Sequence, residues 1–430
     1  MGSMPRPQPA AIRLAGLFAL LLTLAGCGSG LASGGNARAQ PRPGPTTGCA
    51  PTVLATLGGV LRRIYAEGID SERTASAAHL IEHSAPLRKA IETGDARAAK
   101  AAARELLATG HLTNLDVRSA RGTLVSVGGE ALTPLRGTIL GASGAPIATY
   151  MTSVWAVGGF VAEGSGVAEG LVALRAGGRA VGGTIELPRG PLLPEGSLAR
   201  NGVVYQYTSF TGRTYPTGSV QIYLLKPLPA VEALCGPSDG DTQLATLRRV
   251  ASLIYEGERG GRTLVQVRRV QRNAALLAAV ARRDPAATRT AVAALLHQHI
   301  VRLRVSAGGK LLTDDGGPFV LAPVHADLRA HGRRIGSFVM SIQDDEGYLR
   351  LANRLAGLDV LMFMHGVGGP SSKPRLVKNS LGPGVGGLGS IPANGAYTYR
   401  GRSFRVFTID AEAFPSGPLT IRVLVPQPYR

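Results

Sequence analysis

ATLGGVLRRIYAEG, residues Ala55 to Gly68, returns as ATLRRVASLIYEGE, residues Ala245 to Glu258, without a gap and at an offset of 190 residues. A match of this length at one fixed spacing means that one structural unit is present twice. The ends of the units agree too. YPTGSVQIYLL (Tyr215 to Leu225) reappears as FPSGPLTIRVL (Phe414 to Leu424), so each unit closes with a turn and an alternating strand.

Between these ends the pattern is helical first and β afterwards. Ala-rich segments with apolar residues at helical spacing fill residues 51–109 and 242–297. Asp284 followed by Pro285 is a helix start, a carboxylate for a free amide followed by a ring that needs no N–H; Asp95 plays the same part in the first unit. Alternating strands follow, Leu112 to Ser119 and Ile300 to Ala307, preceded by His111 and His299. From these histidines the units align at an offset of 188 residues through Gly128/Gly316, Ile147/Ile335, Ser153/Ser341 and Gly159/Gly347. The class is therefore α+β, two repeated units in which N-terminal helices precede an antiparallel β-sheet. The uncharged stretch Gly137 to Ala162 invites reading as a membrane span. Its counterpart carries Asp327, Arg329, Arg333 and Arg334, and it holds Pro146 and several glycines itself, so strands and turns are expected there.

A chain of 430 residues that is 44% hydrophobic suits two domains with real cores. Its formal charge of +19 raises nucleic acid or an anionic membrane as partners, but the basic residues are scattered and aromatics make up only 5%. Base stacking needs more than that, so nucleic acid is set aside and a lipid surface is kept. Arg6 and Arg13 precede the apolar run Ala15 to Gly26, too short to span as a mature helix, and Cys27 follows at once. The stretch Leu24, Ala25, Gly26, Cys27 resembles a bacterial lipoprotein signal, which implies cleavage before Cys27 and lipidation of its thiol. An ordinary secretory signal or an uncleaved anchor is the alternative. Cleavage would remove two arginines and leave +17. Residues 28–48, rich in Gly, Ser and Pro, read as a flexible tether.

Export leaves Cys49 and Cys235 in the folded body, an even count in an oxidising compartment. A disulfide between them would join the heads of the two units and be worth about 2–4 kcal/mol; two buried free thiols are the other possibility. The expected organisation is a signal at 1–26, a tether at 27–48, a first domain at 49–230, a linker at 231–241 and a second domain at 242–430.

Helices followed by a small antiparallel sheet, exported and in tandem, resemble the extracytoplasmic PAS-like sensor modules called Cache domains. The residues that carry the resemblance are IVRLRVSAGGKLLTDDGGP (Ile300 to Pro318), IGSFVMSIQDD (Ile335 to Asp345) and FPSGPLTIRVLVP (Phe414 to Pro426). It implies PAS-like sheets and a pocket on one sheet face for an amino acid, carboxylate, amine or purine. Members commonly signal through a transmembrane helix. This chain ends at Tyr429-Arg430, directly after the last expected strand, so signalling would pass to a separate membrane partner.

Candidate ligand residues lie in the second unit. Arg302 and Arg304 share one face of their strand and can receive a carboxylate bidentately, or form a solvated face. Ser341 and Gln343 share a face of theirs. Asp344, at the head of the acidic run Asp344, Asp345, Glu346, either grips a ligand or caps the helix through Tyr348, Leu351 and Leu355; Tyr348 joins the candidate set. HLIEH (His79 to His83) spells a metallopeptidase motif but lacks a third ligand, and GVGGLG (Gly384 to Gly389) is followed by Pro392 and a strand where a dinucleotide motif needs a helix. The glycine-rich stretch around it reads as a mobile surface loop. No nucleophile–base set has a recognisable context. The expectation is a membrane-anchored, extracytoplasmic sensor-like binding protein, neither an enzyme nor a cofactor carrier; a structural or interaction lipoprotein of the envelope with no ligand is the alternative.

Overall fold

In the computed structural model the helix starts fall where the caps place them. The Asp95 carboxylate accepts from the amides of Arg97 and Ala98 at 3.0 and 2.9 Å, and Asp284 accepts from Ala287 at 3.0 Å. Each cap satisfies amides that the first helical turn leaves open. The structure describes residues 48–430 apart from 216–217, 258, 297–298, 318–319, 367–372, 416 and 430. Cys27, the signal and the tether up to residue 47 lie outside the described residues.

The first repeat opens with helix α1 (Ala50–Ala66), then α2 (Glu72–Glu82), α3 (Ala85–Thr93) and α4 (Ala96–Ala108). Strands β1 (Asn114–Ser119), β2 (Gly122–Gly128), β3 (Ala131–Leu132), β4 (Leu135–Leu140), β5 (Pro146–Ser153) and β6 (Trp155–Ala156) lead into α5 (Val157–Ala168). Strands β7 (Leu171–Ala176), β8 (Arg179–Gly183), β9 (Glu195–Arg200), β10 (Val203–Tyr215) and β11 (Gly218–Pro227) complete it, and α6 (Leu228–Glu232) links onward. The second repeat runs α7 (Asp239–Gly257), α8 (Gly261–Gln271), α9 (Ala274–Arg282), α10 (Pro285–Leu296), β12 (Arg302–Ala307), β13 (Lys310–Gly316), β14 (Val320–Leu321), β15 (Val324–Ala330), β16 (Arg333–Ser341) and β17 (Gln343–Asp344). It ends with α11 (Asp345–Ala356), β18 (Asp359–Met364), β19 (Arg375–Asn379), β20 (Gly395–Tyr399), β21 (Arg402–Phe414) and β22 (Gly417–Pro426). At the offset of 188 residues Trp155 answers to Gln343, and both open the two-residue strand ahead of the middle helix. The span Gly137 to Ala162 contains β4, β5 and β6, although its last residues already belong to α5.

Each repeat carries two antiparallel sheets, not one. The smaller has four strands, ordered β2-β1-β5-β4 and β13-β12-β16-β15. The larger has seven, ordered β6-β3-β10-β11-β7-β8 with β9 on β10, and β17-β14-β21-β22-β18-β19 with β20 on β21. The chain moves between sheets through β3 and β14, two residues each, too short to leave an alternating signature.

Helices α2, α3 and α4 bury Ile81, Leu87 and Ala103 against Leu115, Val117 and Ile139 of the small sheet. Helix α1 turns Leu57, Leu61 and Ile64 to the large sheet, at the spacing that keeps one helix face apolar, and each fully buried leucine contributes about 2 kcal/mol. Helices α1, α5, α7 and α11 share one core between the repeats, including Phe160, Val250, Tyr348 and Leu355. Polar links reinforce that seam. Arg249 meets Glu169 at 2.7 Å, Arg354 pairs with Glu67, and Thr52 Oγ1 donates to Asp239 at 2.7 Å. Cys49 and Cys235 are disulfide-bonded with Cα atoms 5.7 Å apart, as expected from the cysteine count. No helix among the described residues is long and apolar enough to cross a membrane.

Candidate functional site

The small sheet of the second repeat holds the residues expected to bind ligand. Alternation along β12 puts Arg302 and Arg304 on one face, as read, and both do hold a carboxylate; it belongs to the chain itself. Arg302 donates through Nε and Nη2 to the two oxygens of Asp314 at 2.8 and 3.0 Å, and through Nη1 to Gly317 O at 2.6 Å. Arg304 donates to Asp314 Oδ2 through Nε and Nη2 at 3.0 and 2.6 Å. Both guanidinium groups lie over the Phe414 ring, 5.1 and 4.4 Å from its centre. Burial alone would raise the Asp314 carboxyl, but the hydrogen bonds and charges of Arg302 and Arg304 hold it below the usual carboxylate range. Asp314 stands directly opposite Arg304 in the β12–β13 hairpin, a relation set by the Gly308-Gly309 turn and a register shift after Val305. The shift that brings this acid to these arginines is not legible in the sequence.

Of the remaining expected ligand residues, Ser341, Asp344 and Tyr348 are also engaged within the protein. Ser341 donates to Leu321 O and to Gln343 O, and accepts from Gln343 N at 3.2 Å, as Ser153 does with Leu132 and Trp155 in the first repeat. A serine that makes the same turn in both copies is a joint between sheets. Asp344 caps α11, accepting from Gly347 N at 2.6 Å, so the acidic run starts a helix. Tyr348 is fully buried, donates to Ala251 O at 3.0 Å and stacks edge-on against Tyr255, 6.3 Å between ring centres. Burial pushes its phenol pKa up. Gln343 is buried, and its side-chain oxygen has no protein partner.

The metallopeptidase spelling fails on geometry. His79 and His83 are exposed with ring centres 3.9 Å apart, but Glu82 accepts from the Tyr150 hydroxyl at 2.8 Å on the sheet side. Among the described residues no group of three His, Cys, Asp or Glu side chains could hold a metal.

An open groove lies where the sequence drew no attention, on the face of the first repeat's large sheet away from α1. Arg175 of β7, Gln221 of β11 and Thr211 of β10 are direct cross-strand neighbours and form a row across three strands. Ser219 and Tyr223 flank Gln221 on the same face, and the segment 184–194, with Arg189, rims the opening. The cavity measures about 770 Å³. Arg175 donates through Nη1 to Pro188 O and Gly190 O at 3.1 and 2.9 Å, and through Nη2 to Gly178 O at 3.1 Å. Thr211 Oγ1 donates to Gln221 Oε1 at 2.9 Å, and Gln221 Nε2 to Ser209 Oγ at 2.9 Å. Burial raises the Tyr223 phenol pKa, and the charge of Arg175 opposes that rise.

The second repeat differs at the same place, where Asp410 is exposed and Thr420 half-buried. Its equivalent row is Phe363, Thr420 and Asp410. Phe363 is fully buried with Phe404, Val406 and Ile391, and Leu381, Val385 and Leu388 pack onto them. These three belong to the glycine-rich stretch expected to be a mobile surface loop; its described part is a cover, and GVGGLG is part of that cover. Residues 367–372 of the stretch lie outside the described residues. Position 175 could not be singled out by spacing, because its groove partners are separated from it by long stretches of chain and are joined only by strand register.

Scanned against known protein families the chain matches none, and no match was found among curated proteins. A solved structure similar to the chain is the Vibrio cholerae LuxQ periplasmic domain, at 7% identity and a TM-score of 0.27, over 42% of this chain and 98% of that one. At that score the likeness decides nothing about fold or function here.

Proposed function

We propose that this protein is a lipid-anchored, extracytoplasmic binding protein of the sensor-like kind, taking a small molecule in the groove of its first repeat and presenting it to a membrane partner. The observation that carries this reading is the groove lined by Arg175, Arg189, Gln221 and Tyr223 in the first repeat. Its cavity measures about 770 Å³ on the face of the large sheet away from α1. That volume is in the range of small-molecule sites, roughly 300–1,000 Å³. The Cys49–Cys235 disulfide supports an oxidising compartment. The run from Leu24 to Cys27 supports lipidation, and Cys27→Ser should move the protein from the membrane to the soluble fraction; unchanged fractionation would count against the anchor.

A thermal-melt screen of the whole protein against amino acids, carboxylates, amines and purines tests the binding reading. A ligand at a hundred times its Kd adds about 2.7 kcal/mol, a readable shift. No shift with any member would favour the second reading, an envelope protein that binds no small molecule. The internal pairing of Arg302, Arg304 and Asp314 favours that reading for the second repeat.

A further inference from the structure

We infer that the first-repeat groove selects a small organic oxyanion, a molecule presenting a carboxylate or phosphate group to Arg175, Arg189 and Tyr223. This rests on the binding reading above and adds the chemical class.

The argument is one of charge and preorganisation. Two guanidinium groups line the groove and no carboxylate does. Arg302 and Arg304 show what this chain does with a structural arginine pair, which is to neutralise it with an aspartate. Arg175 is treated differently. Its three partners are neutral backbone carbonyls, which fix the guanidinium in place and leave its charge uncompensated. Two of those carbonyls belong to Pro188 and Gly190, on either side of Arg189, so the same side chain ties down the rim that carries the second cation. Arg189 itself is exposed and makes no ion pair among the described residues.

Tyr223 adds a directional donor. The residue is 5% exposed, lines the cavity, and its hydroxyl has no hydrogen-bond partner among the described residues. The hydroxyl is not among the buried unpaired oxygens, so it opens to the groove and can donate to a ligand there. Two cations and one hydroxyl suit the oxygens of a carboxylate or phosphate. An ammonium ligand would find no acid here. A purine would find one ring, Tyr223, already packed against Tyr207 with 6.2 Å between centres.

The test is calorimetric titration of the whole protein at constant ionic strength with succinate, citrate, inorganic phosphate and glycerol 3-phosphate, and with spermidine and adenine as contrasts. Saturable binding of at least one of the four oxyanions is expected. Arg189→Gln should weaken it by about tenfold and Tyr223→Phe by several-fold, whereas Arg104→Gln, an exposed arginine on α4, should leave it unchanged. Succinate and citrate binding without phosphate or glycerol 3-phosphate would assign a carboxylate; the reverse would assign a phosphate. Binding of spermidine or adenine alone, or oxyanion binding equally strong in Arg189→Gln, would overturn the inference and leave the binding reading standing. No heat with any of the six compounds, together with a silent thermal screen, would overturn both.

Discussion

Tyr65 and Tyr255 make the same two hydrogen bonds in the two repeats. The Tyr65 hydroxyl donates to Arg213 O at 3.3 Å and accepts from Arg213 N at 2.6 Å; the Tyr255 hydroxyl donates to Glu412 O and accepts from Glu412 N, both at 2.9 Å. Each phenol reaches from the long first helix to a strand edge that neighbouring strands leave partly unpaired. Tyr65→Phe and Tyr255→Phe should each destabilise the protein by about 1–3 kcal/mol, because a backbone N–H is left without its acceptor. Chemical denaturation of the two variants checks this. A cost in one repeat and none in the other would show that the tyrosines are not equivalent.

The disulfide closes a sequence separation of 186 residues between the heads of the repeats. Replacing both cysteines by serine should lower stability by about 2–4 kcal/mol through a freer unfolded chain. Reducing agent should lower the melting temperature of the native protein and leave that of the double variant alone. An equal response in both would place the effect elsewhere.

Asp314 should give stability a pH dependence. Its folded pKa is depressed below the unfolded value, near 3.9 for an aspartate, so its contribution is present above that value and is lost as pH falls through the folded pKa. Asp314→Asn should therefore cost about 2 kcal/mol at pH 7, the scale of a hydrogen bond to a charged group, and the gap to the native protein should close in strong acid. A gap that stays constant from neutral pH to about pH 2 contradicts the ion-pair account. Arg302→Ala should likewise lower stability while leaving ligand binding unchanged.

Gly164 sits where α5 crosses α1. A Cβ there would stand 2.4 Å from Leu61 Cδ1 and 3.5 Å from Val172 Cγ2. Leu61 is 1% exposed and has little room to retreat. Gly164→Ala should cost about 1–3 kcal/mol from overpacking, set against at most about 1 kcal/mol gained from helix propensity. Leu61→Val should cost less in the Gly164→Ala background than alone, because it relieves the clash. Additive effects in that double-mutant cycle would remove the contact from the explanation.

The helices and their caps were readable because the interactions that make them are local: Asp95, Asp284 and Asp344 each serve amides within three residues. Alternation was equally direct, and it placed Arg302 and Arg304 together. Tyr348, whose spacing with Leu351 and Leu355 marks an apolar face, is buried on that face with its hydroxyl on Ala251 O; an aromatic that carries a hydroxyl suits a core or a pocket equally in sequence.

Duplication and fold class follow from order along the chain, where a repeated helix and a period of two carry their own meaning. Which face is open does not. The row Arg175, Gln221 and Thr211 exists through pairing of β7, β11 and β10, and the matching row in the second repeat is Phe363, Thr420 and Asp410, buried at Phe363 and exposed at Asp410. Strand register and the path of a covering segment are long-range properties, fixed by packing across the sheet, so which residues share a row, and which of them a segment covers, is decided only in the folded chain.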